Sequence, residues 1–554
     1  MKNLKWWQKS SVYQIYPKSF CDTTGSGTGD LIGIIDHLDY IKSLNVGAIW
    51  LTPIYPSPQV DNGYDISDYT SIDPAYGTMN DFERLIDEAD KRGIKIVMDL
   101  VYNHSSNQHK WFLESKSSRY NSKSDWYIWR DPKADGSAPT NWRGIFGGSA
   151  WTYCEERDQY YLHTFANQQP DLNWENPAVR QALYDAANFW LDKGVGGFRI
   201  DAIVYIKKPK NFIDGEPDAI DGSFSIHNAI ANTPGILDYL YEFRKKVFDG
   251  HDIFTVAEAN SVKPEELKFW VGEQGAFDML FEFSHVNVMF PTGEVWHSWK
   301  PFKLTALKNA LSESQKATAK NGWYPIYFEN HDKPRCINNF FAEGIDPIKA
   351  AKAIATILLT LRGTPFIYQG QELGCTNVKW KSIDQYNDIS SIDQFNWAIK
   401  DGFSKEDAMK FVHKFSRDNA RTPMQWNDSK NVGFSNGKTW LPINENYLTV
   451  NVEIENANEN SVLNYYRQLN EFRSKNEILI SGDYEEIFSD DENIFAFIRS
   501  IGEKKIFVIV NFSDQLVHYS IDQLQNAKFL FGNCEDNQIG TLQPLEAVIY
   551  QKAA

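Results

Sequence analysis

Cysteine is scarce in this chain: five in 554 residues, at Cys21, Cys154, Cys336, Cys375 and Cys534. They are odd in number, widely scattered and without metal-ligand spacing. That argues against a disulfide framework or a zinc site and for reduced thiols in a cytoplasmic protein. No run of 18 apolar residues occurs, so no transmembrane helix is expected. The opening Met1-Lys2-Asn3-Leu4-Lys5-Trp6-Trp7 lacks the apolar stretch of a signal peptide. Positive charge is in deficit: 56 Lys and Arg face 73 Asp and Glu, a net charge of −17. This balance argues against nucleic acid or an anionic membrane as a partner. Aromatic residues, by contrast, make up 14%, with 18 Trp. Trp and Tyr offer flat, amphipathic stacking surfaces suited to a carbohydrate or aromatic ligand, although a Trp-rich core accounts for most of them.

Strand and helix signals alternate along the chain. Apolar runs at 12–17, 46–54 and 94–101 read as buried strands. Leu31, Ile34, Ile35, Leu38, Ile41 and Leu44 recur at helical spacing, and 81–93 reads as a polar-faced helix ended by glycine. Such alternation predicts a parallel sheet covered by helices. It then breaks. Residues 104–175 are rich in Ser, Asn, Asp, Gly and Trp and are too long for an ordinary loop, so they read as a small inserted domain. A helix over 176–194 resumes the pattern, followed by strands at 195–203, 253–258, 277–283, 323–330 and 364–368. Eight strand–helix units predict an α/β fold, a (β/α)8 TIM barrel. An open doubly wound sheet is the alternative, but it normally has fewer repeats, and no Gly-x-Gly-x-x-Gly turn follows the first strand. The barrel is expected to span 1–103 and 176–479, with a polar insertion at about 374–459 after strand 8 and a closing helix at 461–479. Short alternating strands over 480–554 predict a C-terminal antiparallel β domain.

In such a barrel, polar residues at strand C-termini line the active site. The third strand runs into Asp99-Leu100-Val101-Tyr102-Asn103-His104, and the fourth ends Gly196-Gly197-Phe198-Arg199-Ile200-Asp201. Residues i and i+2 of a strand share a face, so Arg199 and Asp201 should lie side by side. A buried Asp beside a fixed Arg stays ionised, and an ionised carboxylate in a dry cleft can act as a nucleophile. An isolated Arg-x-Asp reads as readily as a structural salt bridge. The fifth strand, however, ends in Glu258, and the seventh runs into Phe328-Glu329-Asn330-His331-Asp332. Burying several carboxylates in one place is costly unless they have a task.

These four stretches resemble the four conserved regions of the α-amylase family of glycoside hydrolases (family 13), and the resemblance runs over nearly the whole chain. Gln168-Gln169-Pro170-Asp171-Leu172-Asn173, Asp61-Asn62-Gly63-Tyr64-Asp65 and Arg421-Thr422-Pro423-Met424-Gln425-Trp426 are similar to motifs of its oligo-1,6-glucosidase and α-glucosidase subgroup. The resemblance implies a retaining mechanism, with two carboxyl groups roughly 5–5.5 Å apart. Asp201 would form a covalent glucosyl-enzyme. Glu258, its pKa raised by burial and neighbouring carboxylates, would protonate the leaving oxygen and then activate water. Asp332 would be the third acid, Arg199 would orient Asp201, and His104 and His331 would hold sugar hydroxyls. Asp61 and Arg421 would grip the terminal glucose of a blind, exo-acting pocket. Tyr64 would stack on that sugar, with Phe146 and Gln168 at the pocket edge. Asp99 is taken as structural and left outside the site.

The function so implied is a cytoplasmic, monomeric, exo-acting α-glucosidase. It would cleave terminal α-1,6 or α-1,4 bonds of short oligosaccharides such as isomaltose, maltose and isomaltooligosaccharides. A trehalose-6-phosphate hydrolase is an alternative that needs a basic phosphate clamp; Lys207 and Lys208 are candidates, read instead as a solvated face. A sucrose isomerase or transglucosylase is another, but its arginine-rich loop is not evident in Lys333-Pro334-Arg335 after Asp332. A non-catalytic carbohydrate-binding or scaffold barrel would need a transmembrane anchor and could lose its acids, and neither applies here. No cofactor or catalytic metal is implied. Asp22–Asp30 occupies the place of a calcium loop found in many relatives, but Thr24 and Ser26 replace its middle Asn and Asp, so weak or absent calcium binding is expected. Ala202, after the nucleophile, stands where relatives preferring α-1,6 links commonly carry Val. The smaller side chain leaves room beside the leaving group and predicts dual or α-1,4-leaning specificity.

Overall fold

The computed structural model describes residues 4–219, 221–290, 295–320, 322–535 and 538–552. Eight short strands belong to one sheet: β1 (Val12–Ile15), β2 (Ala48–Leu51), β3 (Lys95–Val101), β4 (Gly197–Asp201), β5 (Phe254–Glu258), β6 (Met279–Phe281), β7 (Pro325–Ile326) and β8 (Thr364–Tyr368). Their order is β6-β5-β4-β3-β2-β1-β8-β7, the sequential order of a (β/α)8 barrel. Strands buried on both faces read as continuous apolar runs, and every residue of β2 and β8 is buried.

The seventh strand is much shorter than the run 323–330 suggests. Its chain turns away before Asp332, whose N–H donates to the Asn330 side-chain oxygen at 2.8 Å. The polar stretch after β8 holds two sizeable helices, Ile389–Lys400 and Lys405–Phe415. Their few apolar residues, among them Phe395, Ala398, Ala408, Val412 and Phe415, pack with Trp296 and Trp380. A high polar content hid this narrow apolar face.

The chain divides into two compact units: Met1–Ile49, Glu88–Ile94 and Phe283–Ala554 in one, Trp50–Asp87 and Lys95–Glu282 in the other. In the second unit, Asp99 pairs in parallel register with Arg199, and Arg199 with Val256. Gly197 permits this packing: a Cβ there would lie 2.2 Å from the Phe254 carbonyl oxygen. The helix Pro177–Asp192 precedes β4; Asn176 caps it by accepting from the Ala178 N–H, and Pro177 occupies its first turn. It buries Val179, Leu183, Ala187 and Trp190, and Trp190 meets Phe82 edge-on at 5.1 Å. Trp190→Ala would cost about 3–5 kcal/mol. Between β3 and this helix lies a three-stranded antiparallel sheet of Trp129–Arg130, Trp151–Cys154 and Gln159–Leu162.

The first unit includes the C-terminal antiparallel sheet of β9 (Asp483–Ile487), β10 (Ile494–Ile501), β11 (Lys504–Asn511), β12 (Lys528–Gly532) and β13 (Ala547–Lys552), ordered β9-β10-β11-β13-β12. Gly502, at φ 57°, makes the tight turn between β10 and β11. No disulfide forms among the described residues, and no helix among them is long and apolar enough to cross a membrane.

Candidate active site

The residues singled out from the sequence fall into two groups, one in each unit. In the second unit, Arg199 is the hub. It is 2% exposed. Its Nη1 donates to Asp201 Oδ1 at 2.6 Å and to both Asp99 oxygens at 2.9 and 3.1 Å, while Nη2 donates to Glu258 Oε2. The strand geometry explains this: Arg199 and Asp201 share a face of β4, Asp99 stands beside Arg199 on β3, and Glu258 ends β5. The rings of Trp50 and Tyr64 lie 5.3 and 5.8 Å from the guanidinium carbon. One cation thus serves three carboxyl groups. Burial raises Asp201 to about 7; Asp99 adds to the rise, while Arg199 and a hydrogen bond with Glu258 oppose it. Burial likewise raises Asp99 to about 6 against the pull of Arg199. At neutral pH the cluster is therefore poised to hold a proton.

The loop 61–65 supplies the adjoining wall. Asp65 accepts from Ser57 Oγ and from the N–H groups of Val60 and Asp61, which pins the turn. Asp61 accepts from Gln169 Nε2 at 3.1 Å. His104 Nε2 lies 3.1 Å from the Tyr64 carbonyl and 3.1 Å from Gln169 Nε2. Burial lowers His104 to about 4, so it is neutral at pH 7. The Tyr64 hydroxyl donates to Asp99 Oδ2 at 3.0 Å. Phe146 is half-buried with its ring 5.6 Å from Phe165, which in turn lies 5.1 Å from His104. Gln168 is half-buried, and its carbonyl accepts from the Asn107 N–H.

In the first unit, Asp332 follows β7. Its Oδ1 accepts from Arg421 Nη2 at 2.7 Å and Arg417 Nη1 at 3.1 Å, and its Oδ2 lies 3.1 Å from His331 Nε2. Burial opposes its ionisation, but His331, Arg417 and Arg421 outweigh that and hold the carboxyl well below the usual range. With 31% of its side chain exposed, Asp332 still faces open space. Arg421 is 1% exposed, and its Nη1 has no hydrogen-bond partner among the described residues. His331 Nδ1 meets Gln14 Nε2 at 2.8 Å, and its ring stacks on Tyr16.

The alpha amylase catalytic-domain model matches residues 14–482. The chain belongs to the α-amylase family. An oligo-1,6-glucosidase of Bacillus cereus is 42% identical over 556 residues, covering 99% of both chains. A trehalose-6-phosphate hydrolase of Bacillus subtilis (strain 168) is 44% identical over 556 residues, covering 99% of this chain and 98% of that one. The crystal structure of the isomaltulose synthase SmuA from Protaminobacter rubrum superposes with a TM-score of 0.94 at 38% identity, covering 99% of both chains.

Several contacts of these candidate residues escaped the sequence reading. Asp99, taken as structural, is fully buried and bonds to Arg199, a contact that only its register with Arg199 would have revealed. Gln169 rather than Gln168 reaches Asp61 and His104. Lys208 is not on a solvated face. It is buried, with its Nζ 2.8 Å from Asp171 and 2.9 Å from Asn103 Oδ1. Arg417, outside any motif used above, links Asp332 to the buried Asp388.

The loop 22–30 is closed by protein donors. Asp22 Oδ1 accepts from Thr24 N, Thr24 Oγ1 and Gly25 N, each at 2.9 Å, and Oδ2 from Gly27 N and Ser435 Oγ. Asp30 accepts from Thr23 and from Gly33 N. Among the described residues, no group of three or more His, Cys, Asp or Glu could hold a metal ion.

Proposed function

We propose that this enzyme is a retaining, exo-acting α-glucosidase of short oligosaccharides, and one observation carries the reading. Asp201 and Glu258 hang on the two ends of a single guanidinium. A pair bridged this closely suits direct attack by one carboxylate; the inverting arrangement needs roughly 6.5–9.5 Å to admit a water. Asp201 attacks the anomeric carbon and forms the glucosyl-enzyme, while Glu258 gives its proton to the leaving oxygen. Glu258 then takes a proton from the water that releases glucose. The hydrogen bond by which Glu258 lowers Asp201 favours this division of labour, with the proton on Glu258 and the charge on Asp201.

Asp332, kept ionised by its cationic neighbours, holds sugar hydroxyls and favours the positive charge that develops on the ring. Arg421, with a buried donor still open, supplies a further hydrogen bond to the terminal glucose. Asp61, His104 and His331 hold the remaining hydroxyls, with Tyr64, Phe146 and Gln168 around them. We place the protein in the cytoplasm, as a monomer that needs no cofactor.

The alternatives lack support in the charged groups. A phosphorylated leaving group needs a cation, yet Lys208 is buried against Asp171 and Lys207 pairs with Glu175 at 2.8 Å. The basic residues after Asp332 are also engaged: Arg335 with Glu329 at 2.8 Å, and Lys333 with Asn287 at 2.8 Å. The decisive experiment is Asp201→Asn on p-nitrophenyl α-glucoside, together with a substrate panel of maltose, isomaltose, sucrose, panose and trehalose-6-phosphate read by product. Turnover should fall at least about 10³-fold. Retained activity would overturn the nucleophile assignment, and a first preference for trehalose-6-phosphate would overturn the substrate.

A further inference from the structure

A hydrogen-bonded chain that the mechanism leaves unused joins the loops that follow the two catalytic strands. Tyr205 lies four residues beyond Asp201, and Ser261 three beyond Glu258. His227 stands between them: its Nδ1 meets the Tyr205 hydroxyl at 2.7 Å and its Nε2 the Ser261 hydroxyl at 2.8 Å. Ser261 is exposed and held at φ 69°, a conformation a serine adopts only at a cost. Phe165, which also borders His104, meets the Tyr205 ring edge-on at 5.9 Å. Phe165 thus joins His104 to a chain whose two hydroxyls lie shortly after Asp201 and Glu258 in sequence.

We propose that the Tyr205–His227–Ser261 chain is the hydroxyl-binding edge for the leaving group, and that it selects an uncharged sugar. This rests on the roles assigned above to Asp201 and Glu258. The chemistry of the three groups fits the task. Both hydroxyls rotate and the imidazole has two tautomers, so the chain can reverse its direction and present either a donor or an acceptor. A sugar hydroxyl, itself both, is the natural partner. Burial lowers the pKa of His227, so the edge carries no charge at neutral pH and offers an anionic group no counter-charge. Ser261, on the open end, would touch the sugar first. His227 would hold it in place.

The test compares kcat/KM for isomaltose and maltose with that for α-glucosyl fluoride, in the wild type, His227→Phe and Ser261→Ala. All three substrates deliver glucose to Asp201, but only the disaccharides carry a leaving sugar. The disaccharide-to-fluoride ratio should fall about tenfold in His227→Phe, the loss of one transition-state hydrogen bond, and about threefold in Ser261→Ala. A merely structural role would depress all substrates alike and leave the ratio where it was. Because Ser261 is exposed, its truncation reads the ratio without a folding defect. Ratios within about twofold of the wild type in both variants would overturn the proposal. Failure of the wild type to hydrolyse α-glucosyl fluoride would instead overturn the assignment of Asp201 and Glu258.

Discussion

The backbone N–H of Ala202 points at Glu258, 3.4 Å from its Oε2. It can do so because Ala202 adopts φ 46° and ψ 31°, the left-handed conformation that favours glycine. The turn ends β4 immediately after Asp201 and swings the next peptide toward the acid. On the roles proposed above for Asp201 and Glu258, the same residue would shape the catalytic pair and border the space for the leaving group.

Ala202→Val should therefore do two things. A β-branched residue in this conformation is strained by about 1–3 kcal/mol, so the denaturant midpoint should fall. The added methyl groups narrow the leaving-group side, and the isomaltose-to-maltose ratio of kcat/KM should rise about tenfold. A wild-type enzyme that already prefers isomaltose strongly would sink the dual or α-1,4-leaning specificity proposed from Ala202.

Asp99→Asn should move the acid limb of the pH–rate profile. The negative charge of Asp99 raises Asp201, and Asp99 competes with it for Arg199. Removing that charge lowers the pKa of Asp201, which stays ionised to lower pH. The acid limb of kcat/KM, raised by burial of Asp201, should shift downward. The asparagine keeps the side-chain shape, and circular dichroism controls for the fold. An acid limb that stays put would show that Asp99 does not tune the nucleophile.

Arg417→Gln should weaken acid stability. Asp332 has a depressed folded pKa, so it stabilises the fold above its unfolded value, and that contribution disappears as pH falls through the folded value. Loss of Arg417 raises the folded pKa, and the contribution is lost at higher pH. Breaking a buried ion pair with Asp388 adds roughly 3–5 kcal/mol of destabilisation at all pH values above the carboxylate range. The acid-unfolding midpoint, followed by Trp fluorescence, should move up. An unchanged midpoint would exclude Arg417 as a support of Asp332.

How much of this was legible beforehand depended on range. Arg199 and Asp201 are two apart on one strand, and period 2 alone put them side by side. The eight-strand pattern was readable because parallel strands are nearly pure apolar runs, such as Ala48–Leu51. Lys208 was misread as solvated, and the contacts of Asp99 and Gln169 went unseen, because these partners are set by strand register or by folding of the 104–175 segment. Asp99 meets a partner 100 positions away, and Lys208 one 105 away. Arg417 sits in the polar stretch after β8, where composition concealed two helices. Spacing rules reach a turn or two; beyond that, only the packing decides.

Calcium should leave the protein unaffected. A calcium ion requires six to eight oxygens, several of them carboxylate or carbonyl. In the loop 22–30 the two carboxylates are already spent on N–H and O–H donors, and Thr24 and Ser26 point their hydroxyls into that same network. An arriving cation would have to displace at least four donors from Asp22, whose carboxylate is pulled below its usual range because the hydrogen bonds from Ser435, Gly27 and Thr24 outweigh burial. Those bonds close the loop without a metal. The melting temperature should therefore agree within about 1 °C in EDTA and in millimolar CaCl2, since a ligand that binds only the native state raises it by mass action. A clear rise with calcium would show that the loop reopens. The hydroxyl substitutions would then be the place to look: Thr24→Asn with Ser26→Asp should raise the response further.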